Sequence, residues 1–351
     1  MTQRAAVIGA GIAGATCARR MRDAGWDIEL FDRGRGPGGR MSTRRAKTPL
    51  GEISFDHGAQ YFTVREDAFS RQVRAWVAAG VAESWDARLV TLDERGGTRP
   101  FSAFAWVGRP SMSAVLKEQL GDLSVHWSAE VAEIIGEPGL WRLKLADGRE
   151  RGFYHAVILA TPGETAAALL HDLAPLQSSA AVRARSAPCW ALMLAFDERL
   201  RPPFDAAKIN GGPISWVARN ASKPGRADVE AWVAHASPSW SQLHVDAAPG
   251  DVERELIEAF RKRLKASEPV FAAVHLWRHA MVERPVGSPF GWDRALSIGS
   301  CGDWYLGQRV ELAWNSGDAL GRMLAEEREF MDAPEHETRE TVSVDAGRPR
   351  S

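Results

Sequence analysis

The chain has no run of about 18 apolar residues, the length a helix needs to cross a bilayer, so no membrane span is expected. It also has little net charge. With 44 basic residues against 45 acidic ones, no global field favours nucleic acid or an acidic membrane surface as a partner. Only three cysteines are present. Cys17, Cys189 and Cys301 stand far apart, with neither metal-ligand spacing nor a C-x-x-C pair. No metal centre and no redox disulfide are therefore expected, and Cys17 reads as a small buried thiol. Internal repeats and a signal-peptide layout are missing too, so the cytoplasm is the expected compartment. Tyrosine is scarce, at 3 against 14 tryptophans. Some of those indoles are expected to line a site for a flat ring, and most to sit in the core.

What is present is ordinary globular composition, 45% hydrophobic and 25% charged over 351 residues, enough for one large or two ordinary domains. Its most specific stretch is Ala5-Ala6-Val7-Ile8-Gly9-Ala10-Gly11-Ile12-Ala13-Gly14, an apolar run entering a G-x-G-x-x-G turn. Ile28-Glu29-Leu30-Phe31-Asp32 follows as a second apolar run ending in an acid. In dinucleotide binding each part has a mechanical job. Gly9 permits the tight turn, Gly11 lets the backbone approach a pyrophosphate, and Gly14 lets the helix pack on the strand. The helix then aims its free N–H groups at the phosphates, and Asp32 accepts from a ribose.

Between the acid and residue 60 lies Arg33-Gly34-Arg35-Gly36-Pro37-Gly38-Gly39-Arg40-Met41-Ser42, too rich in glycine for regular structure and able to form an anion-binding nest. An extended, ring-rich segment comes next, Phe55-Asp56-His57-Gly58-Ala59-Gln60-Tyr61-Phe62. The spacing of Phe69, Val73, Trp76 and Val77 predicts a helix over 66–80, and residues 83–107 alternate like strands with a hairpin signal at Gly96-Gly97. Ser111 or Ser113 is positioned to cap another helix. Strands are expected at 125–127, 131–135, 140–145 and 154–160, the last rejoining the dinucleotide-binding sheet. From 164 to 289 we expect a mixed sheet with strands at 189–196, 214–218, 231–235 and 270–277 and one covering helix over 250–266. A strand at 296–299 and a final helix at 310–330 complete the fold, and 332–351 has the composition of a disordered tail.

Taken together, these segments resemble the FAD-dependent amine-oxidase-type flavoproteins and, within them, the bacterial renalases. The resemblance rests on the N-terminal fingerprint, Gly38-Gly39-Arg40-Met41-Ser42, Asp56-His57-Gly58-Ala59-Gln60-Tyr61-Phe62, and Trp216-Val217-Ala218-Arg219-Asn220. It rests also on Ser222-Lys223-Pro224-Gly225-Arg226, Trp232-Val233-Ala234-His235-Ala236, and Gly302-Asp303-Trp304 with Arg309-Val310-Glu311. It covers roughly residues 3–328. The fold it implies is α/β: a Rossmann-type, glutathione-reductase-like FAD-binding domain with a mixed-sheet α+β substrate domain. The expected boundaries are 1–70, 109–163 and 290–330 for the first and 71–108 and 164–289 for the second. The implied activity is oxidation of dihydro isomers of NAD(P)H, reduced at nicotinamide carbon 2 or 6, with electrons passing to O2 to give H2O2. A flavin amine oxidase or desaturase is the alternative, and a flavin-bearing sensor that never turns over is a third reading.

On this resemblance noncovalent FAD is held by Gly9, Gly11, Ile12, Ala13, Gly14, Asp32, Arg33, Gly39, Arg40, Met41, Gln60, Tyr61, Val131, Asp303, Val310 and Glu311. Oxidation of a dihydropyridine gives an aromatic pyridinium and needs no general base, only flat packing at near-attack distance. Tyr61, Trp216 and Trp277 are the candidate walls, with His235 the candidate partner of the nicotinamide carboxamide; core packing is the competing role for each. Arg219, Asn220, Lys223 and Arg226 form a basic cluster suited to the substrate's phosphates or, alternatively, a solvated loop. Arg278 and His279 suit a site rim or a structural ion pair.

Overall fold

The computed structural model describes residues 2–332, so the tail expected to be disordered lies, but for its first residue, outside the described residues. Two sheets organise the chain. The first has six strands in the order Gly291–Asp293, Ile298–Ser300, Ala156–Leu159, Arg4–Ile8, Asp27–Phe31 and Ser124–His126. Its strands run parallel apart from the antiparallel edge at Gly291–Asp293. The apolar run at the N-terminus forms its centre, with Val7 beside Leu30 on one side and Ile158 on the other. A strand covered on both faces needs no polar alternation, and Ala5, Ala6 and Val7 are fully buried.

Helix Ile12–Asp23 leaves the glycine turn and packs against the last helix, Val310–Asp332. Small residues permit this crossing. A Cβ on Gly317 would stand 2.1 Å from the Ala13 carbonyl oxygen; Gly14 serves a different contact, its Cβ position lying 2.0 Å from the Gly9 carbonyl oxygen in the turn. Gly25 follows the first helix at φ +89°, as its position past the C-cap demands.

The second sheet is mixed and has seven strands, ordered Phe271–Arg284, Arg185–Ala195, Ala231–Ala236, Ile214–Arg219, Ala206–Ile209, Leu89–Leu92 and Thr98–Pro100. Helix Pro249–Leu264 covers one face with Val252, Leu256 and Phe260, the last ring 5.9 Å from both Phe196 and Trp232. A smaller antiparallel sheet joins Val131–Ile135, Trp141–Leu145 and Glu150–Tyr154.

The structure departs from the expectations in specific places. The strand through Trp277 does not close at Arg278-His279 but continues to Arg284, because most of its length pairs with Arg185–Ala195. The region after 163 has more than one helix: Gly163–Leu170, Pro175–Arg183 and Pro238–Leu243 are added. The first two pack Ala166, Leu170 and Ala181 into a cluster with Ala6, Val157 and Leu159, so they belong with the first sheet rather than with the substrate half. Helix Asp67–Ala78 likewise packs toward the last helix, Phe69 lying 5.5 Å from Trp314, while Val77 is left 41% exposed. Neither Ser111 nor Ser113 caps the helix Met112–Leu120 by its side chain. The Met112 N–H donates instead to Asp56 Oδ1, at 3.0 Å.

Candidate active site

A cavity of about 500 Å³ opens where residues of both sheets meet. On the nucleotide side it is lined by Gly11, Ile12 and Ala13, by Arg40 and Met41, and by Asp303 and Val310. Ile12 and Ala13 begin one helix and Val310 another, and the first N–H groups of a helix have no intrahelical acceptor. Two positively polarised helix ends therefore meet the cavity. Gly11 leaves room: a Cβ added there meets nothing within 4 Å, whereas at Gly9, whose φ is +103°, it would lie 2.6 Å from the Ala160 oxygen. The cradle thus fits a pyrophosphate where the motif puts one.

Asp32 ties this cradle together. Its Oδ2 accepts the Ala10 N–H at 2.8 Å and its Oδ1 the Gly34 N–H at 2.6 Å, so the acid joins the glycine turn to the loop after it. That loop folds back onto the fingerprint, with Gly39 close enough that its Cβ would lie 3.6 Å from the Gly11 Cα. Ala129 N–H donates to the Asp32 carbonyl at 2.9 Å, which brings Val131 near the acid but not onto the cavity wall. Arg33 is exposed and also stands off the wall. Arg40 makes two 2.6 Å bonds to Asp303, bridging loop and last turn at the cavity's edge.

Glu311 does not line the cavity. Fully buried, it accepts the N–H groups of Arg65 at 2.7 Å and Glu66 at 2.8 Å, and so serves the start of helix Asp67–Ala78.

The other side of the cavity is aromatic. Tyr61, Trp216 and Trp277 line it together with His235, Cys189 and Met281. The rings of Tyr61 and Trp216 stand 5.7 Å apart. The carbonyl of His57 anchors two of these side chains, accepting Trp277 Nε1–H at 3.1 Å and His235 Nε2–H at 3.1 Å. That bond fixes the tautomer of His235 and leaves Nδ1 as an acceptor. Burial lowers its pKa to about 4, outweighing the bond to His57, so the ring is neutral at neutral pH. The Trp216 indole N–H is buried without a partner. Burial also pushes the Cys189 thiol up to about 12, which leaves it a protonated, inert wall. Among the described residues that line the cavity Asp303 is the one acid, and Arg40 already holds it.

The expected phosphate-binding cluster lies elsewhere. Arg219 is buried, pairs with Glu230 at 3.2 Å and donates to the Leu200 carbonyl at 2.8 Å. Asn220 donates to the Ser54 carbonyl at 2.7 Å. Lys223 and Arg226 both turn onto Asp56, Lys223 Nζ standing 3.4 Å from its Oδ2 and Arg226 making the closer contact. Buried charges need partners, and the acid that supplies theirs is distant in sequence. Burial alone would raise the Asp56 pKa, but Lys223, Arg226 and the Met112 N–H hold it down at about 2. Arg278 pairs with exposed Asp246 at 3.2 Å, and His279 with Glu164 at 3.2 Å, which makes both structural contacts.

Sequence reasoning missed His57, whose carbonyl organises the aromatic wall although its side chain carries no ligand-like signal. It also missed Cys189, Ala280 and Met281, small or apolar residues that line the cavity only because two strands bring them there. The three cysteines are free and buried, no group of metal ligands occurs among the described residues, and none of their helices is long and apolar enough to cross a membrane.

Comparison with known proteins agrees with this architecture. A family model for the NAD(P)-binding Rossmann-like domain matches residues 7–78, and one for flavin containing amine oxidoreductases matches residues 84–290, more than half of the chain. A bifunctional protein of Magnetococcus marinus for tRNA 5-methylaminomethyl-2-thiouridine biosynthesis is 25% identical over 287 residues, covering 69% of this chain and 41% of its own length. The chain therefore spans only about two-fifths of that relative. Cyclohexylamine oxidase from Brevibacterium oxydans superposes with a TM-score of 0.72 at 12% identity over 94% of this chain and all of its own. A protein of Exiguobacterium sp. 255-15, named as a candidate protoporphyrinogen oxidase, gives 0.75 at 13% identity over 93% of this chain and 99% of its own. At such identities the structural likeness speaks for the fold.

Proposed function

We propose that this chain, which belongs to the flavin containing amine oxidoreductase family, oxidises dihydro isomers of NAD(P)H, reduced at nicotinamide carbon 2 or 6. That the protein is an FAD-dependent oxidase, with FAD bound noncovalently, follows from the family and the fitted cradle. The chemistry that FAD supplies when bound is acceptance of two electrons from a donor and their delivery to dioxygen. In balance, the dihydropyridine, O2 and one proton give the pyridinium and H2O2.

One observation carries the choice of substrate. The substrate side of the cavity offers aromatic walls, a donor in the hydroxyl of Tyr61, which lines it, an acceptor in neutral His235, and no available carboxylate. A nicotinamide ring fits those walls, and its carboxamide carries the carbonyl and the amino group that match the donor and the acceptor. Tyr61, Trp216 and Trp277 would hold the ring flat and exclude water. No residue need remove a proton, because loss of hydride alone makes the ring aromatic. An amine arriving as an ammonium ion would find no free anion on that wall.

A second reading, oxidation of an amine, draws its support from the family itself and from the aromatic pocket, which would admit a neutral amine. Aerobic turnover separates the two. With dihydronicotinamide isomers we expect NAD(P)+ and peroxide to form in equal amounts; peroxide formed from cyclohexylamine or putrescine, with the isomers inert, would overturn the proposal in favour of the amine.

A further inference from the structure

Behind the cavity wall lies a buried charge cluster that the oxidase reading does not use. Lys223, with its side chain fully buried, contacts Asp56 Oδ2 at 3.4 Å and donates to Gln60 Oε1 at 3.2 Å. Arg226 contacts the same carboxylate oxygen and donates also to the Gly108 and Pro224 carbonyls. The other oxygen of Asp56 accepts the Thr43 hydroxyl at 2.7 Å and the Met112 N–H at 3.0 Å. Two cations thus share one carboxylate, and the cluster keeps a surplus of positive charge.

Gln60 connects this cluster to the cavity, which it lines beside Gly58, Ala59 and Tyr61. Its amide cannot flip. Oε1 accepts from an ammonium, which has no lone pair to offer, and Nε2 donates to the carbonyls of Asp56 and Gly58, the latter at 3.0 Å. The wall is further pinned by Ala59 N–H to the Arg40 carbonyl at 2.8 Å and by the two donors on the His57 carbonyl.

We propose that Lys223 is a positioning residue of the oxidase: its ammonium fixes the Gln60 amide, and with Arg226 it holds positive charge behind the cavity wall that would meet the flavin ring. The charge reaches the cavity, since Lys223 contributes, after burial, to the low pKa of His235. Burial and then Arg226 draw Lys223 itself down to about 8 against the pull of Asp56, so it is cationic at neutral pH. Positive charge near the ring favours the more negative, reduced form of the cofactor.

The test is the flavin midpoint potential of the holoenzyme, read against a reference dye during slow chemical reduction, so that no assumption about the substrate enters. Lys223→Met should lower the potential by the equivalent of about a tenfold shift in the two-electron equilibrium, the size of one charge-assisted hydrogen bond. Lys223→Arg should stay near wild type. Lys223→Gln keeps a donor for Gln60 Oε1 but removes the charge, and should also lower the potential; it decides the matter if Lys223→Met does not fold. An unchanged potential in Lys223→Met or Lys223→Gln, or an equal drop in Lys223→Arg, would overturn the proposal.

Discussion

At the scale of single residues, function here turns on side chains fixed by one backbone carbonyl. His57 C=O receives both Trp277 and His235, so a residue whose own ring has no ligand to hold sets the orientation of two that face the cavity. Replacing His235 by alanine should therefore slow anaerobic flavin reduction by a dihydronicotinamide isomer about tenfold, the loss of one hydrogen bond made as the substrate is oriented. Reoxidation by dioxygen should be unaffected. Rapid-mixing traces of the two half-reactions check this, and an equal loss in both would make His235 a structural residue.

The same scale shows what sequence could and could not reveal. Asp32 was legible as the acid that ends the second strand, but its carboxylate accepts the Ala10 and Gly34 N–H groups and so joins the turn to the loop, a role the motif does not name. The Arg219–Arg226 cluster was misread because a sequence displays the sign of its charges and not their partners. Asp56 and Glu230 pair with that cluster from within the fold, and Asp56 comes from a segment read only as a flank of the flavin site. Glu311 was misplaced for a similar reason: it sits at the start of the expected helix, yet its carboxylate faces another helix start.

At the scale of elements, the glycine fingerprint divides into two physical tasks. Gly14 lets the first helix lie against the turn, and its Cβ would meet the Gly9 oxygen at 2.0 Å, whereas Gly11 faces open space. Gly14→Ala should cost several kcal/mol of stability, on the order of the largest single-site losses. Gly11→Ala should leave the urea midpoint of the flavin-free protein nearly unchanged while weakening FAD retention at least tenfold, because a methyl group would stand where the pyrophosphate approaches. Denaturation and flavin titration of the two variants check this; a Gly11 variant with full flavin affinity would contradict it. Element type and order were readable wherever a motif or a period was strong. The short helices Gly163–Leu170 and Pro175–Arg183 were not, since their apolar faces are brief and acquire meaning only against the first sheet. The length of Phe271–Arg284 was hidden likewise, because its partner strand sets it.

At the scale of the whole molecule, the cavity depends on histidines kept neutral inside the fold. Burial, before the neighbouring histidines, lowers the pKa of His57 to about 3, and burial lowers that of His235 to about 4, both from an ordinary 6.5. The unfolded chain takes up protons at these sites that the native state refuses, so their contribution is intact above 6.5 and is lost as pH falls toward the folded values. We expect the urea midpoint to drop between about pH 6.5 and about pH 4, ahead of the loss of the Asp56 pairing, whose carboxyl protonates only near 2. A midpoint flat across that range would mean the rings are protonated in the native state. The two-sheet architecture brings these neutral rings and the aromatic wall over the nucleotide cradle.

Anaerobic rapid mixing of the FAD-loaded protein with purified dihydro isomers of NAD(P)H and, separately, with cyclohexylamine and putrescine decides which donor this juxtaposition oxidises. The isomers are expected to abolish the flavin's visible absorbance at a rate sufficient for turnover while the amines leave it unchanged. Bleaching by an amine, with the flavin still oxidised in the presence of every isomer, would contradict this expectation.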